Sequence, residues 1–314
     1  MELLLSVDEL PAGLRFVLTI GVFDGVHRGH RRVLDETARA AAELSAVPVV
    51  LTFEPHPAAV LHGSAPPLLC DPRERLARIA QAGVGITVIQ RFDRAFAAQS
   101  PAEFLARLAR GRQLSGLVMT PESAFGRDRA GTLASVEQLA GQLGFRLVDV
   151  DPLRVAGQPI SSSRIRDLLA RGRLGEARRL LGRRYAVIGE VVHGDRRGHQ
   201  LGYPTANLGF TPDVCLPADG IYAAWVSWGG TDPLDPEHRA GGVASLGVRP
   251  TFGAGARTLE AHIFDFDGTL YGQRLRLEFV RRQRGERHFG SVAGLVRQME
   301  RDARRARAIL AIPP

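Results

Sequence analysis

The first half of the chain alternates short apolar runs with segments of helical spacing. The runs are FVLTIGV (16–22), VPVVLTF (47–53), VGITVIQ (84–90), LSGLVMT (114–120) and FRLVDV (145–150). They are rich in Val, Ile and Leu and show little polar alternation, which is the pattern of strands buried on both faces of a parallel sheet. Between them the apolar positions take a 3.6-residue period. Residues 30–44 carry Val33, Leu34, Ala38 and Ala41 on one face, and 73–82, 101–110 and 132–143 repeat the theme. Strand–helix alternation of this kind predicts a doubly wound α/β domain. Two further helices are predicted over 160–172 and 174–182, with Ser161, Ser162 and Ser163 as capping side chains and Gly172 and Gly182 as stops.

After Arg184 the texture changes. YAVIGEVV (185–192), GIYAAWVSW (220–228), GGVASLGV (241–248), TLEAHIFDF (258–266) and LRLEFV (275–280) are short and separated by turn residues. Helical spacing returns only in the last twenty or so residues. This predicts an antiparallel β-barrel closed by a C-terminal helix, and a domain boundary at 182/183, giving domains 1–182 and 183–314.

Composition narrows the chemistry. All 41 basic residues among the 314 are arginine, and the net charge is +8. Without lysine, Schiff-base catalysis and the phosphate-binding lysine of P-loop enzymes are excluded. Phosphate must be handled by arginine, histidine, backbone N–H groups or metal. Eleven arginines against four acids fall in 271–310. They alternate with apolar positions at helical spacing, so they read as a solvated helix face and not as a nucleic-acid surface. No apolar run approaches a membrane span, and Cys70 and Cys215 alone make no disulfide framework. The expectation is a cytoplasmic protein, monomeric or weakly self-associating, with no nucleic-acid or membrane partner.

Two stretches carry candidate chemistry. In GVFDGVHRGH (21–30) the first strand hands over to a helix through Gly21, Phe23, Asp24 and Gly25, followed by His27 and His30. A helix N-terminus beyond the carboxyl end of a strand suits a phosphate, and the two imidazoles can face the same oxyanion. The alternative is a glycine-rich turn with incidental surface histidines. In VVHGDRRGHQLGYPTANL (191–208), Gly194, Arg197 and Gly198 make a loop suited to polyphosphate. Thr205 and Asn207, two apart, face one side of an extended chain and offer hard oxygen ligands for Mg²⁺. A turn stiffened by Pro204 is the plainer reading. Glu260, on the alternating strand TLEAHIF, offers a carboxylate base or an ordinary exposed glutamate.

The HxGH element, with the serine-rich helix start ISSSRIR (160–166), resembles the nucleotidylyltransferase superfamily. The order GVFDGVHRGH, LTFEPHP (51–57), ISSSRIR, HGDRRGHQLGYPTANL, ASLGVRPTF (244–252) and RTLEAHIFDFDGTLYG (257–272) resembles the bifunctional bacterial riboflavin kinase/FAD synthetases over residues 16–310. The resemblance implies a Rossmann-like nucleotidylyltransferase domain that converts FMN and ATP to FAD and pyrophosphate. It also implies a barrel that phosphorylates riboflavin to FMN with ATP and Mg²⁺. By the same resemblance Thr205 and Asn207 hold Mg²⁺–ATP, Glu260 is the base, and His27 and His30 stabilise the α-phosphate. Ser162, Arg164 and Arg166 serve the nucleotide phosphates, and Phe53, Pro55, Glu122 and Phe125 serve the flavin. One segment departs from the family pattern G-x-[DN]-F-x-F-G: here it reads TPESAFG (120–126), with Glu122 and Ser123 replacing the acidic or amide position and the first aromatic. That departure leaves open a riboflavin kinase whose first domain is weak or has an altered nucleotide or flavin preference.

Overall fold

A computed structural model describes residues 1–194, 198, 201–210, 213–248 and 257–312. The chain forms two compact units, Met1–Pro66 with Arg75–Ser161, and Pro67–Glu74 with Ser162–Pro314.

The first unit is a six-stranded sheet, all of whose pairings are parallel. Its strands are β1 (Glu2–Leu4), β2 (Arg15–Ile20), β3 (Val47–Glu54), β4 (Ile86–Arg91), β5 (Gln113–Met119) and β6 (Arg146–Asp149), in the order β1-β4-β3-β2-β5-β6. The five apolar runs therefore form β2 to β6. Their lack of alternation has a direct cause. Phe16, Leu18, Leu51 and Leu117 pack on one face, and Val17 and Val118 pack on the other with Ala40 and Ala41 of α1 (Arg28–Glu43). The order reverses between β2 and β5, which makes the carboxyl ends of these two strands the switch point where α/β sheets bind ligands. Helices α2 (Pro57–His62), α3 (Pro72–Ala80), α4 (Arg94–Ala97), α5 (Pro101–Ala109) and α6 (Leu133–Leu143) complete the run of helices up to β6, α3 beginning in the second unit.

In the second unit α7 (Ser162–Ala170) and α8 (Leu174–Leu181) precede a barrel. Its remaining strands follow a small β7–β8 ribbon (Arg154–Val155 with Gln158–Pro159) of the first unit. They are β9 (Ala186–Val192), β10 (Ala206–Gly209), β11 (Gly220–Trp228), β12 (His238–Val248), β13 (Arg257–Ile263) and β14 (Arg274–Arg284). The barrel closes antiparallel in the order β10-β13-β12-β11-β14-β9. Leu208, Tyr222, Ala244, Leu246, Leu259, Ala261, Leu277 and Phe279 fill it. The C-terminal helix α9 (Val292–Leu310) lays Ala306 and Leu310 on Ala223 and Phe264. Asp302 of α9 is buried beneath the Arg284 guanidinium, which donates to it from Nε and Nη2 (3.0 and 2.6 Å).

Candidate functional sites

In the first unit β2 ends at Ile20, and the chain turns through Phe23 (φ 51°), Gly25 (φ 76°) and Val26 (φ 35°) before α1 starts. The helix begins at Arg28, two residues earlier than the period suggested. His27 is its N-cap, and its Nδ1 accepts from the His30 N–H at 3.1 Å. That bond assigns the His27 proton to Nε2. The His27 and His30 rings stack at 3.6 Å between centroids, 13° from parallel. Phe23 meets His30 edge-on at 5.3 Å and is buried with Leu34, Val50 and Ile79. Asp24 is buried too. The Val22 carbonyl is held by Thr52 Oγ1 (3.1 Å) and Arg75 Nη1 (3.3 Å). The turn is thus fixed from three sides, and it sets a pair of imidazoles and a helix N-terminus at the carboxyl end of β2, where an anion gains from the helix dipole.

Two of the flavin candidates, Phe53 and Phe125, fall on one aromatic series. Phe53 at the end of β3 meets Phe92 (5.4 Å) and Phe96 (5.9 Å); Phe96 meets Phe104 (5.6 Å), and Phe104 meets Phe125 (5.8 Å). Phe92, Phe96 and Phe104 escaped the sequence reading. Their signal was present in RFDRAF and PAEF, aromatics placed just after a strand end and on the next helix. Pro55 and Glu122 are exposed. The unusual Ser123 closes the turn after β5. Its Oγ accepts from the Thr120 N–H at 3.1 Å and lies 2.9 Å from the Thr120 hydroxyl.

Ser162, Arg164 and Arg166 open α7 and belong to the second unit. Arg166 Nε donates to the Pro67 carbonyl at 2.6 Å.

On the barrel, Asn207 of β10 pairs across with Glu260 of β13, Glu260 with Ser245 of β12, Ser245 with Ile221 of β11, and Ile221 with Arg284 of β14. These five residues form one transverse row on the outer face, because the alternate positions fill the interior. Thr205 joins the row by donating from Oγ1 to Glu260 Oε2 at 3.2 Å. Two glycines close over it. A Cβ on Gly194 would lie 2.8 Å from Asn207 Oδ1, and one on Gly198 would lie 3.3 Å from Thr205 Oγ1. Gly194 therefore approaches Asn207 at a range only glycine allows, and Gly198 approaches the Tyr203 carbonyl as closely, 2.3 Å from where its Cβ would lie. Arg197 lies outside the described residues, as do most of its neighbours in the HGDRRGH loop and the loop 249–256. His262, two residues beyond Glu260 on the same face, was not singled out from the sequence. Its Nδ1 lies 2.9 Å from the Pro204 carbonyl, and its ring meets Tyr203 edge-on at 5.1 Å. The E-x-H spacing in LEAHIF was the available signal. A second carboxyl, Glu286, reaches over Gly247 on the same outer face; burial, and then the charge of Asp219, raise its pKa above the ordinary glutamate value.

The donor set of Thr205 and Asn207, a hydroxyl and an amide oxygen side by side in a cradle that a Cβ would fill, fits a hard divalent cation completed by phosphate oxygens. Among the described residues there is no cluster of three or more His, Cys, Asp or Glu side chains that could hold a metal.

Comparison with known proteins bears on both units. A family model described as FAD synthetase matches residues 12–164, and one described as riboflavin kinase matches 181–310. Three relatives each bear the name bifunctional riboflavin kinase/FMN adenylyltransferase. The protein of Haemophilus influenzae is 36% identical over 93% of both chains. That of Escherichia coli K12 is 35% identical over 93% of this chain and 91% of its own, and that of Bacillus subtilis is 32% identical over 92% and 91%. A crystal structure described as a macrolide-efflux protein from Streptococcus pneumoniae superposes with a TM-score of 0.84, at 29% identity and 96% coverage of each chain. Among the described residues here, no helix is long and apolar enough to cross a membrane.

Proposed function

The chain belongs to the bifunctional riboflavin kinase/FMN adenylyltransferase family and is an enzyme with both activities, and we propose that its two chemistries divide between the His27–His30 turn and the Asn207–Glu260 row. The functional boundary is placed at 182/183, so that residues 1–182 adenylylate FMN and 183–314 phosphorylate riboflavin. The geometry that carries this reading is the Thr205–Glu260 contact in a row with Asn207: a carboxylate beside a cation-binding hydroxyl and amide.

In the kinase, the riboflavin 5′-hydroxyl is a neutral nucleophile. As its oxygen bonds to the γ-phosphorus of ATP and the bond to the β-phosphate oxygen breaks, its proton passes to the Glu260 carboxylate. Thr205 orients that carboxylate. Thr205 and Asn207 would hold Mg²⁺, which would neutralise charge on the ATP phosphates. Gly194, Arg197 and Gly198 line the triphosphate.

In the adenylyltransferase, the FMN phosphate is already an anion. It bonds to the α-phosphorus of ATP, pyrophosphate leaves, and no proton has to be removed from the nucleophile. What is required is charge stabilisation, which His27, His30 and the α1 N-terminus supply. Gly21, Phe23, Asp24 and Gly25 shape the turn, Ser162, Arg164 and Arg166 bind nucleotide phosphates, and Phe53, Pro55, Glu122 and Phe125 seat the flavin. The family match over 12–164 and the name shared by the relatives support adenylylation by the first unit. Two cysteines without a disulfide fit a reducing cytoplasm.

The test is a pair of single variants assayed separately with riboflavin and with FMN. Glu260→Ala should lose phosphorylation and keep adenylylation, and His30→Ala should do the reverse. Equal loss of both activities in either variant contradicts the division.

A further inference from the structure

Residues Pro67–Glu74 lie inside the stretch that resembles FAD synthetase, yet they fold with the barrel. Leu68 forms a parallel bridge with Val214, and its carbonyl accepts from the Cys215 N–H at 2.9 Å. Leu69, Cys70 and Cys215 are buried at this junction. Two contacts then fasten the segment to β14. Asp71 Oδ2 pairs with Arg274 Nη2 at 2.6 Å, and Glu74, 2% exposed, lies 3.5 Å from Arg276 Nε and 3.6 Å from Arg183 Nε.

Glu74 is the inner member of an alternating charge series. Arg276 also pairs with Glu278 at 2.9 Å, and Glu278 with Arg184 and Arg239 at 3.3 and 3.2 Å. Burial works against the Arg276 charge, and Glu74 and then Glu278 more than offset it, so its pKa stands above the ordinary arginine value. Removing one member of such a buried series leaves another charge uncompensated, which is far costlier than losing a surface pair.

The anchor has a consequence further along the strand. β14 shifts register against β11 twice, between Ala223 and Ala224 and between Ile221 and Tyr222, before it reaches Arg284 in the Asn207–Glu260 row. Bulges bend a strand and break its pairing locally, so the stretch beyond them takes its direction from the part ahead of them. That part is held by its ladders with β9 and β11, and the Glu74–Arg276 pair adds a buried fastening on its outer face. We propose that Glu74 is a positioning residue of the riboflavin kinase: its buried pairing with Arg276 steadies β14 ahead of the bulges, and hence the end of the strand that carries Arg284 into the Asn207–Glu260 row. The proposal rests on the barrel being the kinase. Loss of adenylylation instead of phosphorylation in Glu260→Ala would refute that premise, whereas the experiment below addresses Glu74 alone.

The full-length enzyme is compared with Glu74→Gln, Glu74→Asp and Asp71→Asn. Riboflavin phosphorylation and FMN adenylylation are measured per folded molecule, with Cys70 and Cys215 reporting on the junction through their protection from a thiol reagent. In Glu74→Gln, kcat for phosphorylation should fall about tenfold while adenylylation stays within about twofold, and Glu74→Asp should recover most of the loss. Should Glu74→Gln not fold, Asp71→Asn, which cuts only the outer contact, should lower phosphorylation about twofold and spare adenylylation. A lower melting temperature with phosphorylation unchanged would overturn the proposal, as would an equal fall in both activities or thiols exposed with phosphorylation intact.

Discussion

The His27–His30 turn and the Asn207–Glu260 row, to which we assign adenylylation and phosphorylation, carry different equipment. The turn sets two stacked imidazoles at a helix N-terminus, whereas the row sets a carboxylate against a hydroxyl and an amide. The difference follows the nucleophile. An alcohol must lose a proton as it attacks, so phosphorylation calls for a base, the part proposed for Glu260. A phosphate monoester arrives deprotonated, and a base beside it would only add repulsion. Neither site uses lysine, since the chain has none. Under the proposed division the phosphate charge falls to imidazole, guanidinium and backbone N–H groups, with Mg²⁺ proposed for the kinase.

The comparison breaks first at Glu260. Glu260→Gln should reduce riboflavin phosphorylation by about 10²–10⁴-fold, the range of a general base, and leave FAD formation from FMN within about twofold. Initial rates with each flavin decide it. Next comes the turn: His30→Ala should slow adenylylation by about 10²–10³-fold and spare the kinase. His27→Ala should add a loss of about 1 kcal/mol in stability, because His27 also caps α1, and His27→Asn should restore the cap but not the rate.

The third test separates the units by spectroscopy. All four tyrosines and both tryptophans follow residue 184, so tyrosinate absorbance and indole fluorescence report on the barrel side alone. Burial pushes the Tyr222 phenol up to about 12 from 10.0. Its folded pKa is the higher one, so the stability it contributes is complete below pH 10 and is lost as pH rises toward 12. Denaturant midpoints followed by tryptophan fluorescence should therefore fall by the equivalent of about 2–3 kcal/mol across that window. The smallest effect belongs to Asn207→Ala. It should raise the Mg²⁺ concentration needed for half-maximal phosphorylation about tenfold, the weight of one lost ligand contact, with less change in adenylylation measured over the same Mg²⁺ series.

Both architectures could be read from the sequence because their cores follow simple periods. Strands β2 to β6 announced themselves as continuous apolar runs, being covered on two faces, and the barrel strands as short runs between turns. β1 did not, since Glu2–Leu4 is only three residues long and gains its place by pairing with β4. The start of α1 was read two residues late because its cap is the histidine assigned to catalysis. Residue types marked both candidate sites, but their supports came from contacts distant in sequence: His262 on the Pro204 carbonyl, the Phe53–Phe125 series, and Glu74 on Arg276. No periodicity encodes such contacts.

Mixing two variants that each lack one activity tests the division of labour most directly. Glu260→Gln should barely start from riboflavin, and His30→Ala should largely stop at FMN. Supplied together with riboflavin, ATP and Mg²⁺, they should form FAD and pyrophosphate after a lag in which FMN accumulates. A mixture that makes no FAD, while each variant keeps its remaining activity, would contradict two separable centres.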